Sequence, residues 1–287
     1  AISKATLIAA KARVLGKAHR QVEELRLPVR DFEPLKSGRG IRTGVSHFTG
    51  GIIEELRQRL TKAGELSLRS RGVDDEWAEQ VATAMQKEQR LIKIDLSSNK
   101  IGRDSCKWLA IGIAGTTALR SLNLSSNKID KVGLDQLSDG LLINRTIESL
   151  RVSSLKFGEH IPRPNGEGYV SGLGRLADFL PVSLSLTKLD LGGNKMGAEL
   201  FGELVDALTL NRTVTWLDVS GNEMGADGGA HLGRLLACAQ GLRYVDASCN
   251  ALGTDGADYM ALQMEHNTCL TELRLASNRA GAQGALW

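Results

Sequence analysis

Apolar and polar positions alternate in short bursts that return every 28 residues over most of this chain. LIKIDLSSN ends at Asn99 and LRSLNLSSN ends 28 residues later, at Asn127. LTKLDLGGN (Asn194), VTWLDVSGN (Asn222), LRYVDASCN (Asn250) and LTELRLASN (Asn278) hold the same spacing among themselves. Between Asn127 and Asn194 lies IESLRVSSL, with Leu155 where asparagine belongs and 11 extra residues after it. LSLRSR, with Arg71 at the asparagine position, precedes the series. The register counts eight copies, the last one short.

Each burst alternates with period two, which predicts a strand. A second apolar set follows at helical spacing, as in Leu200, Leu204, Ala207 and Leu208. A glycine six residues after the asparagine position (Gly133, Gly228, Gly256, Gly284) is expected to ease the tight start of that helix. One strand and one helix cannot bury an apolar face alone, so the copies must stack into a continuous core. The predicted fold is an α/β solenoid, with parallel strands lining an inner face and helices the outer one. The recurring asparagine is expected to bond backbone groups at the turn after each strand, where donors would otherwise be buried unpaired.

These features, with the helix endings Asn144-Arg145-Thr146, Asn211-Arg212-Thr213 and Asn267-Thr268 and the Ser248-Cys249-Asn250 turn, resemble the leucine-rich repeat family. The similarity is to its ribonuclease-inhibitor-like subfamily, built of 28-residue α/β units. The resemblance covers residues 65–287 and implies a horseshoe, concave on the strand side. It does not fix a function, because that subfamily includes nuclease inhibitors, GTPase activators, actin regulators, immune receptors and axonemal subunits.

Ahead of the repeats the pattern changes. Residues 3–27 set Leu7, Ile8, Leu15, Val22 and Leu25 on one stripe. Lys4, Lys11, Arg13, Lys17 and Arg20 meet no acid within the first 22 residues. This predicts a basic amphipathic docking helix over 1–27. Its lack of acids is also the composition of a mitochondrial presequence. Residues 28–48 carry Pro28, Pro34, Gly38, Gly40 and Gly44 and read as a linker. Ile52, Ile53, Leu56 and Leu60 then lie on one helical face, so 49–64 is read as an N-terminal capping helix. At the other end the last copy stops before its helix has room, and the open apolar edge is expected to be covered by a partner or by further chain.

Charge follows the same division. Net charge is +3, but residues 1–64 hold 13 bases against 6 acids while 65–287 hold 23 against 27. A basic head precedes a mildly acidic body. Four cysteines without a CxxC pair argue against a zinc site or a disulfide framework and for a reducing compartment. No run of apolar residues is long enough for a transmembrane helix.

Side chains between the buried positions of each strand face away from the core, so the inner face can be indexed. One column reads Ser67, Asp95, Asn123, Arg151, Asp190, Asp218, Asp246, Arg274. The neighbouring column reads Glu65, Lys93, Ser121, Ser149, Lys188, Trp216, Tyr244, Glu272. Trp216 and Tyr244 fall side by side near three successive aspartates, a composition suited to anchoring a protein partner. We take Trp216, Tyr244, Asp190, Asp218, Asp246, Lys188, Arg151 and Arg274 as the candidate partner-binding set, against the plainer reading of the aspartates as solvated strand positions. The 11-residue insertion near 159–169, with two prolines, extends one rim and is either a contact loop or a neutral excursion.

Catalytic signals are lacking. The five histidines fall in different elements, and no GxSxG, Walker or EF-hand pattern occurs. No cofactor, metal or small-molecule substrate is expected. Nucleic acid is disfavoured, since residues 1–27 have no aromatic to stack on bases.

Three readings compete. The favoured one is a non-enzymatic scaffold, a structural subunit of a large assembly; the resemblance suggests a ciliary axoneme, with a mitochondrial complex as the alternative. A second is a small-GTPase activator similar to the Ran activator, for which Arg151 beside Asn123 is the available inner-face pair. A third is an inhibitor or receptor that wraps a basic protein through Asp190, Asp218 and Asp246.

Overall fold

The computed structural model describes residues 56, 58–155, 157–158, 161–162, 169–170, 173–265 and 267–281. The expected basic helix 1–27, the linker 28–48 and most of the capping segment 49–64 lie outside these residues. Of that last segment, Leu56 is buried in the core and Leu60 packs against it.

Eight three-residue strands form one parallel sheet in which sequence order is spatial order: β1 (Glu65–Ser67), β2 (Lys93–Asp95), β3 (Ser121–Asn123), β4 (Ser149–Arg151), β7 (Lys188–Asp190), β8 (Trp216–Asp218), β9 (Tyr244–Asp246) and β10 (Glu272–Arg274). A two-stranded antiparallel hairpin, β5 (Ile161–Pro162) and β6 (Tyr169–Val170), is what the insertion forms. The helices are α1 (Asp75–Lys87), α2 (Arg103–Gly115), α3 (Lys131–Ile143), α4 (Arg175–Phe179), α5 (Gly197–Leu210), α6 (Gly225–Cys238) and α7 (Gly253–Met264). A 3-10 turn, Leu180–Val182, extends α4, so the repeat that carries the insertion has the shortest helix.

The middle residue of each strand points into the core: Leu66, Ile94, Leu122, Leu150, Leu189, Leu217 and Val245 are all buried. Together with helix residues such as Leu109, Leu137, Leu204 and Leu232 they make one continuous apolar cluster. No unit could form such a core alone, which is why the period must be kept copy after copy. Burial fails at the last strand, where Leu273 and Leu275 are only partly covered.

The asparagine expectation holds in detail. Asn222 Nδ2 donates to Leu191 O at 3.0 Å and Val219 O at 2.9 Å, and its Oδ1 accepts from Asn194 N at 2.9 Å. Asn250 and Asn278 repeat the pattern on the next turns. Where Leu155 replaces asparagine, its backbone N–H is still taken by Asn194 Oδ1 at 2.8 Å. A second ladder, on the far side of the helices, was not anticipated. Asn144, Asn211 and Asn267 each donate to a carbonyl of the preceding repeat (Ile113, Leu180, Leu236) and accept two backbone N–H groups of their own loop. The side-chain amide thus satisfies one carbonyl left open at the preceding repeat's helix end and two N–H groups of its own loop.

The structure refines the role of the repeat glycines. Gly133, Gly228 and Gly256 lie in the first turn of their helices, at the third or fourth residue, and Gly284 lies outside the described residues. Gly133 and Gly256 serve close contact: a Cβ on Gly133 would stand 3.0 Å from Cys106 Sγ, and one on Gly256 3.2 Å from Ala226 Cα. The left-handed starts belong instead to Gly197, Gly225 and Gly253, with φ between +62° and +70°. Among the cysteines only Cys106 is a buried packing residue; Cys238 and Cys249 are exposed.

Candidate protein-interaction face

The strand register builds the site. Lys188, Trp216, Tyr244 and Glu272 are Cα partners across β7 to β10, and Asp190, Asp218, Asp246 and Arg274 are partners two residues on. Arg151 on β4 stands opposite Asp190. All eight residues indexed from the sequence therefore share one face, held rigid by Leu189, Leu217 and Val245 beneath them.

Neighbouring strands lie about 4.8 Å apart, and rings at the same register must meet. The Trp216 and Tyr244 centroids are 5.0 Å apart with 7° between the ring planes, a parallel stack. Beyond Tyr244, the Arg274 guanidinium carbon is 5.2 Å from the ring centroid. Its Nε donates to Glu272 Oε1 at 2.8 Å, which holds the guanidinium in place. Arg274, Tyr244 and Trp216 thus form one three-layer stack. Each aromatic or cation–π contact of this kind is worth about 0.5–1.5 kcal/mol. Both rings remain half-buried and keep surface for a partner. The sequence set the two aromatics side by side but did not join Arg274 to them; its position on the strand after Tyr244 was the available signal.

The aspartates do two jobs. Asp190 Oδ1 accepts from Gly192 N at 3.1 Å, Asp218 Oδ1 from Ser220 N at 2.9 Å and Asp246 Oδ1 from Ser248 N at 2.9 Å. Asp95 and Asn123 cap their own turns in the same way. The position selects a short side-chain acceptor for the turn, and one carboxylate oxygen is committed before any partner arrives. Burial raises the Asp190 carboxyl above its ordinary value; Asp218 alongside adds to this, while the Gly192 N–H and Arg151 oppose it. In the Asn123–Arg151 pair, Asn123 Oδ1 is likewise occupied, by Ser125 N at 3.0 Å.

The insertion is tied down at its return to the array. Gly174, at φ +51°, turns the chain so that Arg175 N donates to Asp135 Oδ1 at 2.9 Å on α3. On the other flank Leu173 N donates to Glu203 Oε2 at 2.7 Å on α5. Any Cβ at position 174 would overlap Asp135 Oδ1 at 2.3 Å. Neither Asp135 nor Glu203 stood out in the sequence, because both read as ordinary exposed helix acids. The basic set Lys4, Lys11, Arg13, Lys17 and Arg20 lies outside the described residues. Among the described residues, no three His, Cys, Asp or Glu side chains converge as a metal site would need. No helix there is long and apolar enough to cross a membrane.

The family model described as Leucine Rich repeat matches residues 117–138, 182–199, 210–233 and 266–286, in phase with the observed units. The chain is a leucine-rich repeat protein of the ribonuclease-inhibitor-like type. No curated protein matches the leucine-rich repeat chain in sequence. Among solved structures it is similar to leiomodin-1 actin-binding site 2, at 19% identity over 58% of this chain and 91% of that one, TM-score 0.45. The tropomodulin C-terminal domain of Caenorhabditis elegans gives 19% identity over 56% and 90%, TM-score 0.42. The leucine-rich repeat-containing protein LegL7 of Legionella pneumophila gives 15% identity over 79% and 87%, TM-score 0.47. Repeat solenoids offer extended concave surfaces to other proteins, and this chain is built as such an interaction scaffold.

Proposed function

We propose that the protein is a non-enzymatic scaffold that docks another protein on the concave face of β7–β10 and serves as a subunit of a larger assembly. The observation that carries this reading is the half-buried Trp216–Tyr244 stack, extended by Arg274. Aromatic and arginine side chains of this kind dominate binding energy when a partner desolvates them. A rigid parallel sheet holds these side chains in place before binding, which lowers the ordering cost. The reading includes a reducing compartment, argued from the sequence, in which the four cysteines form no CxxC pair. The cytoskeleton of a cilium is the first expectation and the mitochondrion the second.

Native isolation of the tagged protein at low and high salt, followed by sizing and mass spectrometry, tests this. Co-migration with a large, salt-resistant particle is the expected result, and the particle's identity names the compartment. A free monomer under both conditions contradicts the subunit reading. A small, salt-labile complex with a soluble basic protein would transfer the role to Asp190, Asp218 and Asp246.

A further inference from the structure

The last described helix, α7, carries large apolar side chains on its solvent side. Tyr259 and Leu262, one turn apart, are 57% and 68% exposed. The other exposed large apolar residues among the described residues, Ile92 and Leu184, stand singly in separate loops. A groove of about 720 Å³ opens along another side of α7, lined by Leu252, Met260, Met264, Leu273 and Leu275 among others and by neither Tyr259 nor Leu262. At internal positions of the array such a groove is filled by the next repeat: a Cβ on Gly229 would stand 2.3 Å from Gly256 O, and one on Gly233 3.0 Å from Met260 Cα. The residues 28 further on, Ala257 and Ala261, line the open groove and are again small. The exposed apolar patch of Tyr259 and Leu262 is thus a separate feature, on the outer face of α7 and apart from the groove.

Its surroundings are acidic. Helices α5, α6 and α7 carry Glu199, Glu203, Asp206, Asp227, Asp255 and Asp258 against a single arginine, Arg234, which pairs with Asp206 at 2.7 Å. Glu199, Asp227 and Asp255 are 28 residues apart, so they form an exposed row, one per helix. First-turn acids suit the helix dipole, but a dipole alone would also favour bases in the last turns, and these three helices have none there.

An occupant for this face must be apolar on one side and basic on the other. The chain contains such a segment: residues 3–27 set Leu7, Ile8, Leu15, Val22 and Leu25 on one stripe among Lys4, Lys11, Arg13, Lys17 and Arg20. We propose that the N-terminal basic segment, residues 1–27, docks on the outer face of α7, its apolar stripe over Tyr259 and Leu262 and its bases toward Asp227, Asp255 and Glu265. Reach allows it. Residues 28–48 extend to about 70 Å, whereas six helix steps from α1 to α7 span about 55 Å at the usual interaxial spacing.

Carbodiimide crosslinking of the full chain, read by peptide mass spectrometry, tests the proposal by joining lysines to carboxylates they touch. The expected products link Lys4, Lys11 or Lys17 to Asp227, Asp255 or Glu265, and they disappear at high salt and in Leu262→Glu. Leu262 is exposed and glutamate is a good helix former, so this variant keeps the fold; an unchanged melting curve checks that, and Tyr259→Ser is the second variant. A mixture of isotope-labelled and unlabelled chains then separates docking within one chain from exchange between two copies. Crosslinks from these lysines only to other faces, or yields indifferent to both variants, would overturn the proposal. The docking reading of the concave face would be untouched by that failure.

Discussion

Asn222 Oδ1 accepts the backbone N–H of Asn194 across 28 residues, so the side chain of one repeat closes the turn of the repeat before it. The same amide donates to carbonyls of both repeats. Replacing it by leucine orphans several buried backbone groups at once, each costing about 1–3 kcal/mol. Asn222→Leu is expected to destabilise the protein by about 3 kcal/mol or more. Because coupling runs between neighbours, hydrogen exchange should accelerate around residues 186–250 well before residues 66–124. Uniform loss of protection along the array would contradict a nearest-neighbour role for the ladder.

Two glycines in one helix should respond to alanine in different ways. At Gly229 a Cβ would meet Gly256 O at 2.3 Å and Gly256 Cα at 2.4 Å, so α6 and α7 must move apart. Overpacking of this kind costs about 1–3 kcal/mol, more than the helix propensity gained. At Gly225 nothing lies within 4 Å, and the cost is that of a left-handed backbone at φ +62°, about 1 kcal/mol. Urea unfolding should rank Gly229→Ala below Gly225→Ala; the reverse order would mean that the helix spacing is soft.

Acid titration separates the carboxylates. Burial pushes Asp130 up, but the Arg103 guanidinium and the Gly133 N–H outweigh it, and the net shift is downward from 3.8. Asp130 thus adds stability above the ordinary aspartate range, and this is lost as pH falls through its lowered folded value. Asp190 is raised, first by burial and further by Asp218 against the opposing Gly192 N–H. Its ionised form costs stability at neutral pH, a cost relieved as pH falls through the raised value toward 3.8. Carboxyl carbon NMR should find Asp130 titrating below the ordinary value and Asp190 above it. Asp218→Asn should lower the Asp190 midpoint part of the way, leaving the part due to burial.

Period and strand register were legible because each depends on residue type alone: leucine-like residues must face the core, and asparagine is the small side chain that both donates and accepts. The two inner-face columns therefore match the observed pairing, from Glu65 and Lys93 to Asp246 and Arg274. What needed coordinates was shared duty. Asp190, Asp218 and Asp246 look like free charges in sequence, yet each spends one oxygen on its own turn. Gly133 and Gly256 look like turn glycines, yet each also stands close to the preceding helix, at Cys106 and Ala226. The anchoring of the insertion by Asp135 and Glu203 joins residues 40 and 30 positions apart, across the one break in the period, where register predicts nothing.

Docking of a protein on the concave face of β7–β10, as proposed, depends on the Trp216–Tyr244 stack. The most direct measurement compares native isolates of the wild-type chain, Trp216→Ala with Tyr244→Ala, and the convex-face control Leu262→Glu, all shown to melt alike. The double variant is expected to lose the partner recovered with wild type, by about 2 kcal/mol or roughly thirty-fold in affinity, while the control retains it. Full retention of that partner by the double variant would rule out docking through this stack.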